Sequence, residues 1–279
     1  MLLALLTVTA TSGVFVNPTE AQALRDAGAR VLDARGAEAR APYMSSAVVV
    51  DWTGVRAGIL REGRLGEADT ARAAYAAKGV RLDTPVLVYG AADEGWGEEG
   101  RIWWDLSYLG HPEVYILDGG LSAWKKAGGR LASVPSGPLE GDFPTVPSRT
   151  ELRASTEMVR DALGGATVLV DSRTLEEYRG ATPYGSTRGG HVPGARQLHW
   201  RSLLDANGRL LPEPRLHARL GTGPGIAYCT GGVRSAFVVA VATHLGLPYA
   251  NYDGSWWLWS ARSELPVASM ASGEVPASD

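Results

Sequence analysis

The stretch Leu169-Val170-Asp171-Ser172-Arg173 ends an apolar run with Asp-x-Arg, and the same pattern stands earlier as Val31-Leu32-Asp33-Ala34-Arg35. A second phrase, Leu117-Asp118-Gly119-Gly120-Leu121-Ser122-Ala123-Trp124, recurs as Tyr252-Asp253-Gly254-Ser255-Trp256-Trp257-Leu258-Trp259. Counted between their Asp residues, the two phrases lie 85 residues apart in the first copy and 82 in the second. Self-similarity at such a matched interval indicates an internal duplication.

Each copy also contains a short β-type run, residues 85–89 in the first and Gly225–Tyr228 in the second. A glycine-containing turn follows each run, and then a helical stretch, residues 101–109 and 235–245 respectively. Continuous apolar strands that alternate with helices are typical of a parallel sheet covered by helices. The sequence therefore predicts an α/β fold with two tandem domains, each a small parallel sheet flanked by helices.

The length of 279 residues suits two compact domains. Residues 132–149 contain Pro135, Pro138, Pro144 and Pro147 and show little apolar periodicity, which is typical of a linker. We predict a first domain at 1–131, a linker at 132–149 and a second domain at 150–279 that ends in a short tail.

Composition excludes some classes of partner. The chain has 27 basic and 30 acidic residues, a net charge of −3, and no run of basic residues. We therefore expect neither a nucleic-acid nor a membrane partner. The apolar stretch at residues 1–10 has about half the length of a membrane span, and the first basic residue is Arg25. We expect a cytoplasmic protein, with export by a cleaved leader as the alternative; the sequence predicts no oligomeric state.

The chain has one cysteine, so neither an internal disulfide nor a multi-cysteine zinc site is possible. It lies in Tyr228-Cys229-Thr230-Gly231-Gly232-Val233-Arg234-Ser235, between an apolar strand and an apolar helix. Two adjacent glycines let backbone N–H groups point inward, and the following helix adds its positive end. Such surroundings lower a thiol pKa to roughly 3.5–7.5. We predict that Cys229 is a nucleophile; the alternative is an inert core cysteine.

Other cysteine chemistries fit this loop less well. A tyrosine or dual-specificity phosphatase needs five residues between its Cys and Arg, whereas four separate Cys229 from Arg234. This shorter loop is better matched to a sulfur atom on the cysteine than to a phosphoryl group. A Cys-His hydrolase needs a basic histidine nearby, and none of the five is placed by the sequence for that role. His191, in a turn, is interpreted as structural.

These residues resemble the tandem-domain rhodaneses, a family that includes thiosulfate and 3-mercaptopyruvate sulfurtransferases. The resemblance spans about residues 15–266 and depends on six motifs in the family's order. They are Leu32-Asp33-Ala34-Arg35, Gly97-Glu98-Glu99-Gly100-Arg101-Ile102-Trp103-Trp104, Leu117-Asp118-Gly119-Gly120 with Trp124, Val170-Asp171-Ser172-Arg173 with Glu177-Tyr178-Arg179-Gly180, Gly190-His191-Val192-Pro193-Gly194-Ala195, and the loop from Cys229 to Ser235.

The resemblance implies that Cys229 attacks the outer sulfur of a donor, becomes a persulfide, and passes that sulfur to cyanide or a thiol. Because Arg234 resembles the end of certain bacterial thiosulfate-type loops, we expect thiosulfate as the donor, with 3-mercaptopyruvate as the alternative. No metal and no organic cofactor is implied. The predicted substrate-binding residues are Thr230, Gly231, Gly232, Val233, Arg234, Ser235 and Arg188.

In the first half, aligning Tyr89 with Tyr228 places Gly90 at the position of Cys229. The interval up to Arg101 contains four carboxylates: Asp93, Glu94, Glu98 and Glu99. Without a thiol, and with four negative charges, this loop is predicted neither to form a persulfide nor to attract an anion. The first domain therefore resembles the inactive half of the family, and Arg101 is predicted to pair with a nearby carboxylate.

The sequence departs from the family at Glu177, where many members place an arginine that binds the donor's anionic tail. Arg188 is the nearest basic candidate to replace it, which is why we include it in the predicted site. Asp171 and Arg173 are interpreted as a structural ion pair. We also hypothesise that the Thr230 hydroxyl donates to the sulfur.

Two questions of role stay open at this point. Trp256, Trp257 and Trp259 are either pocket walls or core anchors. Besides an enzyme, the loop suits a persulfide carrier or a redox-sensing protein, and a purely structural scaffold with an idle cysteine is the third alternative.

Overall fold

The structure, a computed structural model, describes residues 13–92, 94–137 and 139–269. The predictions for residues 1–10, for Asp93, for Pro138 and for the end of the C-terminal tail fall outside these ranges. Within them, no helix combines the length and apolar character needed to cross a membrane.

The first half forms a five-stranded, wholly parallel sheet in the order β1-β6-β5-β2-β4. Its strands are β1 (Phe15–Val16), β2 (Arg30–Asp33), β4 (Val48–Val49), β5 (Val86–Tyr89) and β6 (Val114–Leu117). A short antiparallel pair, β3 (Tyr43–Met44) with β7 (Leu131–Ala132), lies beside it. Every residue of β2 and β5 is buried, which explains the continuous apolar character of β5 and the apolar centre of β2 at Val31 and Leu32.

The second half repeats the pattern with four parallel strands in the order β11-β10-β8-β9. These strands are β8 (Val168–Asp171), β9 (Arg196–Gln197), β10 (Gly225–Tyr228) and β11 (Tyr249–Asn251). β8 and β10 are the counterparts of β2 and β5, so each Asp-x-Arg phrase begins at the carboxyl end of a sheet strand. The duplication and the parallel α/β fold are confirmed.

Nine α-helices flank the two sheets in the described residues. They are α1 (Pro18–Asp26), α2 (Ala68–Ala76), α3 (Glu98–Tyr108), α4 (Gly120–Lys126), α5 (Thr156–Asp161), α6 (Leu175–Arg179), α7 (Glu213–Leu220), α8 (Arg234–His244) and α9 (Ser255–Ala261). Short 3₁₀ helices lie at Gly36–Glu38, Trp52–Val55, Thr150–Leu152 and Trp200–Leu203. The two predicted helices correspond to α3 and α8, and α3 begins three residues earlier than expected, after Gly97 in a left-handed conformation.

Helices α3 and α8, one from each half, pack directly against each other. Gly100 faces Phe237 so closely that a Cβ at Gly100 would overlap the Phe237 backbone. The Phe237 ring in turn makes edge contacts with Phe15, at 5.5 Å between centroids, and with Trp200, at 5.1 Å. One hydrophobic core therefore runs through both halves, and it holds the carboxyl ends of the two sheets in a fixed relation.

The segment at 132–149 lies along the first half. Asp142 accepts a hydrogen bond from the Leu82 backbone N–H at 2.9 Å, and the Phe143 side chain is buried. Arg72 donates to the Val146 carbonyl oxygen at 2.7 Å. These contacts fix the path of the segment; the three domain boundaries stay predictions.

Candidate active site

Cys229 directly follows β10, at the carboxyl end of the second sheet. Its backbone N–H donates to the Ser255 hydroxyl at 3.0 Å, and its carbonyl accepts from the Trp256 N–H at 3.0 Å. Both partners belong to α9, so the start of that helix fixes the cysteine backbone. The thiol lies at the edge of the sheet where open α/β folds bind their ligands.

A backbone amide points at the sulfur. The Gly232 N–H donates to Cys229 Sγ at 3.1 Å. Gly232 has φ of +77°, and a Cβ there would lie 2.5 Å from the Asp253 carbonyl oxygen, so only glycine fits. Its own carbonyl accepts from Asn251 Nδ2 at 3.1 Å, and Asn251 Oδ1 accepts from the Ser235 hydroxyl at 2.7 Å. The loop is therefore held in the conformation that turns its amides inward.

The Cys229 thiol is more acidic than a free one. Burial alone raises its pKa, but the charge of Arg234 and the N–H groups of Ser235 and Gly231 outweigh burial, so the pKa falls below its usual value. The sulfur is therefore stabilised as the nucleophilic thiolate.

Arg234 does not present a free charge to the pocket. Its Nη1 donates to Glu177 Oε2 at 2.6 Å and its Nη2 donates to Glu177 Oε1 at 2.9 Å, and both side chains are buried. Burial raises the pKa of Glu177, but the bonds from Arg234 and Thr230 lower it to about 2. The carboxylate thus stays ionised and neutralises the guanidinium at neutral pH. Glu177, which the family pattern suggested to be a defect in donor binding, is the partner of Arg234.

Thr230 belongs to the same network. Its hydroxyl donates to Glu177 Oε1 at 2.7 Å and accepts from Arg234 Nη2 at 2.6 Å. A hydroxyl has one hydrogen to give, and here Glu177 receives it. The hypothesis that Thr230 donates to the sulfur is therefore wrong.

Arg173 and Asp171 form the structural ion pair that the sequence predicts. Asp171 accepts from Arg173 Nε at 2.9 Å and from Nη2 at 2.6 Å, and both residues are buried. The Tyr228 hydroxyl also donates to Asp171, at 2.7 Å, and Arg173 donates to the Gly190 carbonyl at 2.7 Å. These bonds tie the end of β10, and with it Cys229, to the neighbouring strand β8.

A cavity of about 270 Å³ opens beside the thiol. Four of its ten lining residues are aromatic, and the first half supplies three of the ten. The lining residues are Trp52, Trp96, Glu98, Tyr184, Cys229, Thr230, Gly231, Val233, Arg234 and Trp257. Trp257 is thus a pocket wall, whereas Trp256 and Trp259 are buried in the core.

Sequence reasoning missed Trp52, Trp96, Glu98 and Tyr184 as parts of this site. Trp96 and Tyr184 meet edge to face at 5.3 Å, and the Arg234 guanidinium lies 5.3 Å from the Trp96 ring centroid. The available signal was the position of Trp96 and Tyr184 beside glycines, which becomes informative only once the two halves are brought together.

Arg188 lies away from this cavity wall. Its guanidinium donates to four backbone carbonyls, those of Trp259, Ser260, Arg262 and Leu265. Two of these carbonyls lie near the end of α9 and two in the residues that follow it. The structure therefore gives Arg188 the role of a cap for this segment, and it does not bring Arg188 to the thiol as the sequence suggested.

The corresponding loop of the first half has no space for a thiol. A Cβ at Gly90 would overlap the Glu99 carboxylate. Glu99 is buried, and burial together with Glu98 raises its pKa to about 8. Arg101 pairs with Asp105 at 2.8 Å, which confirms the prediction that it binds a carboxylate. Glu99 thus fills the place that the sulfur occupies in the second half.

The lowered pKa of Cys229 leads to a prediction for its alkylation. Because the thiolate is the reactive form, we expect the rate of reaction with iodoacetamide to rise with a midpoint below about 8.5, the value of an unperturbed thiol. Intact mass measured across a pH series gives the midpoint. The chain unfolded in urea supplies the reference, because Cys229 is the single cysteine. Equal midpoints for folded and unfolded chains would contradict the prediction.

Comparison with known proteins identifies the family of this chain. The rhodanese-like domain family matches residues 17–127 and again 155–262. A putative thiosulfate sulfurtransferase, SseB, of Mycobacterium tuberculosis is 33% identical over 201 residues, 68% of either chain. A probable 3-mercaptopyruvate sulfurtransferase of Pseudomonas aeruginosa is also 33% identical over 201 residues, 68% of this chain and 70% of the relative.

A solved structure shares the fold. The crystal structure of YnjE superposes with a TM-score of 0.81 at 23% identity, covering 93% of this chain and 69% of that one. With two family matches that coincide with the two sheets, and with its single cysteine placed at the carboxyl edge of the second, this chain belongs to the rhodanese family and is a sulfurtransferase.

Proposed function

We propose that the protein moves sulfane sulfur from thiosulfate to a thiophilic acceptor such as cyanide through a persulfide on Cys229. The observation that carries the proposal is the amide of Gly232 at 3.1 Å from a thiol that forms part of a cavity wall. An amide in this position stabilises negative charge on Sγ before the reaction and after sulfur has left.

The chemistry needs only the thiolate and the loop. Cys229 Sγ attacks the outer sulfur of thiosulfate, the sulfur–sulfur bond of the donor breaks, and sulfite leaves with the electron pair. Cyanide then attacks the outer sulfur of the persulfide, thiocyanate forms, and Sγ departs as the thiolate. Each half-reaction is a displacement at sulfur, so atoms and electrons balance without a further oxidant or reductant.

Glu177 changes how the loop can bind the thiosulfate anion. The expectation of thiosulfate depended on the charge of Arg234, and the ion pair with Glu177 at 2.6 Å neutralises that charge. Loop amides and indole N–H groups remain as uncharged donors for the anion, and Glu98 adds a carboxyl group to the wall. We therefore expect thiosulfate to bind weakly, with a KM at or above the usual upper value of about 1 mM. The name of the M. tuberculosis relative supports thiosulfate, and that of the P. aeruginosa relative supports 3-mercaptopyruvate as the alternative.

Intact mass spectrometry tests the proposal directly. We expect the native chain to gain about 32 Da, one sulfur atom, on incubation with thiosulfate, and to lose it when cyanide is added. The same incubation with 3-mercaptopyruvate ranks the donors, and thiocyanate release gives kcat/KM for each. Much faster loading by 3-mercaptopyruvate would overturn the donor assignment; no gain in mass with either donor would overturn the persulfide.

A further inference from the structure

A hairpin from the first half stands at the rim of the thiol pocket. It runs through residues 56–65, which we call the rim hairpin. Arg56 and Leu65 form an antiparallel bridge, and the Ala57 N–H donates to the Arg64 carbonyl at 2.8 Å. Its tip exposes two adjacent large apolar side chains, Ile59 at 87% and Leu60 at 81%.

The base of the rim hairpin is fixed next to the loop from Cys229 to Ser235. The Leu65 N–H donates to Asp253 Oδ2 at 2.9 Å, and Arg101 Nη1 donates to the Gly63 carbonyl at 2.8 Å. A Cβ at Gly63 would overlap the Gly231 carbonyl, so the hairpin backbone lies directly on the loop that holds the sulfur. Its tip is therefore presented beside the pocket and not at a remote face.

The hairpin also reaches the aromatic rim. A Cβ at Gly185 would lie 2.8 Å from an Arg61 nitrogen, so Arg61 contacts the loop that carries Tyr184. Tyr184 and Trp96 line the cavity and are themselves 39% and 47% exposed. Exposed apolar side chains therefore stand both at the cavity and at the hairpin tip. Exposed apolar groups gathered at one place mark interaction surfaces, whereas single ones do not.

The charge of the rim hairpin is positive in a chain whose net charge is −3. It contains Arg56, Arg61, Glu62 and Arg64. The carboxylate of Glu62 accepts from Arg64 Nη2 at 2.7 Å, so that pair is neutral. Arg61 forms no ion pair within the described residues, and Arg56 lies over the Trp52 ring at 5.8 Å. The surface that the tip offers is therefore apolar with one unbalanced arginine, Arg61, while Arg56 lies at the base.

From these contacts we infer that the rim hairpin docks a protein acceptor that carries its thiol on an acidic, partly apolar surface. The inference rests on the proposed function and names the kind of acceptor. A molecule that fits inside a cavity of about 270 Å³ leaves Ile59 and Leu60 uncovered, whereas a protein surface covers them and arginine pairs with its carboxylates. The acceptor thiol loses its proton to solvent, its thiolate attacks the outer sulfur of the Cys229 persulfide, and Sγ leaves as the thiolate.

Cysteine peptides test this docking. The persulfide-loaded chain is mixed with two twelve-residue peptides, each with one cysteine and two leucines, one rich in glutamate and the other in lysine. We expect sulfur to reach the glutamate peptide about tenfold faster at low ionic strength, and the preference to shrink with added salt. Arg61→Glu should reduce or reverse the preference. The double variant Ile59→Ser, Leu60→Ser should slow transfer to the glutamate peptide several-fold.

Matched controls come from exposed positions on α5. Met158→Ser and Arg160→Glu should leave both peptide rates unchanged. Discharge to cyanide should be the same in all variants, because cyanide enters the cavity without touching the tip. If the persulfide forms and cyanide discharges it but the peptides react alike, the docking inference is wrong and the proposed function stands. If no persulfide forms, the proposed function is wrong, and the docking inference that rests on it is wrong as well.

Other occupants of the tip would overturn the inference. The native chain could cosediment with vesicles of phosphatidylcholine and phosphatidylserine while the Ile59→Ser, Leu60→Ser variant does not. This result would identify a membrane surface as the partner of the tip. Dimerisation in analytical ultracentrifugation that the same variant abolishes would identify a second copy of the chain. The inference of a protein acceptor is supported if the native chain stays monomeric, does not bind the vesicles and transfers sulfur faster to the glutamate peptide.

Discussion

Cys229→Ser abolishes sulfur transfer: we expect thiocyanate release to fall by at least about 10³-fold, as it does when the nucleophile of a covalent catalyst is removed. A serine hydroxyl is too weak an acid to ionise in this loop, and it cannot take up sulfane sulfur as a thiolate does. The measurements are the turnover of thiosulfate and cyanide and the intact mass after loading, which should stay unchanged.

The chain makes this experiment unusually clear, because Cys229 is its single cysteine and no other thiol can take its place. Serine is only slightly smaller than cysteine. The hydrogen bonds that join the Cys229 backbone to Ser255 and Trp256 do not involve the side chain. Circular dichroism and the urea midpoint should therefore match the native chain. Retention of sulfur by the serine variant would place the carrier elsewhere.

Glu177→Gln should destabilise the protein by about 3–5 kcal/mol, the usual cost of removing one partner from a buried ion pair. The amide nitrogen of glutamine cannot accept from Arg234, so one buried donor of the bidentate pair loses its acceptor. Urea unfolding followed by tryptophan fluorescence measures the free-energy change. Glu176→Gln is the matched control, since this neighbouring carboxylate is exposed, and it should leave the midpoint unchanged.

The same substitution should alter the response to acid. The pKa of Glu177 is about 2 in the folded chain and about 4.3 in an unfolded one. Its ionisation therefore stabilises the fold above about pH 4.3, and that contribution is lost as the pH falls towards 2. The glutamine variant should lack this part of the acid dependence. An unfolding midpoint equal to the native one at pH 7 would contradict the role assigned to the pair.

In the Glu177→Gln variant, the unpaired charge of Arg234 should also change the activity, and this effect can be distinguished from a loss of stability. Without the Glu177 carboxylate, Arg234 keeps an uncompensated positive charge beside the thiol. Cys229 should then alkylate with a still lower midpoint, and the KM for thiosulfate should fall several-fold, because an anion now finds a free cation. A variant that only loosened the loop would raise the KM.

The duplication, the parallel α/β fold and the place of the thiol could all be predicted from the order of the amino acids. Strands such as β10 appear as short apolar runs, and the Asp-x-Arg phrases mark the ends of β2 and β8 in both halves. The strand signals are local, since each depends on adjacent residues, and the duplication is visible because the same phrases recur at matched intervals. The position of Cys229 between a strand and Gly231-Gly232 was local in the same way, so its place at the sheet edge could be predicted.

The surroundings of that thiol depend on how the folded elements pack together. Glu177 and Arg234 are 57 residues apart, and their pairing depends on how α6 packs against the catalytic loop. Trp52 and Trp96 line the pocket because α3 packs on α8. Arg188 instead donates to carbonyls at the end of α9 and just after it. Side chains distant in sequence carry no periodic signal of their meeting, because contacts between packed elements follow from complementary shape and charge, and these exist only once the chain has folded.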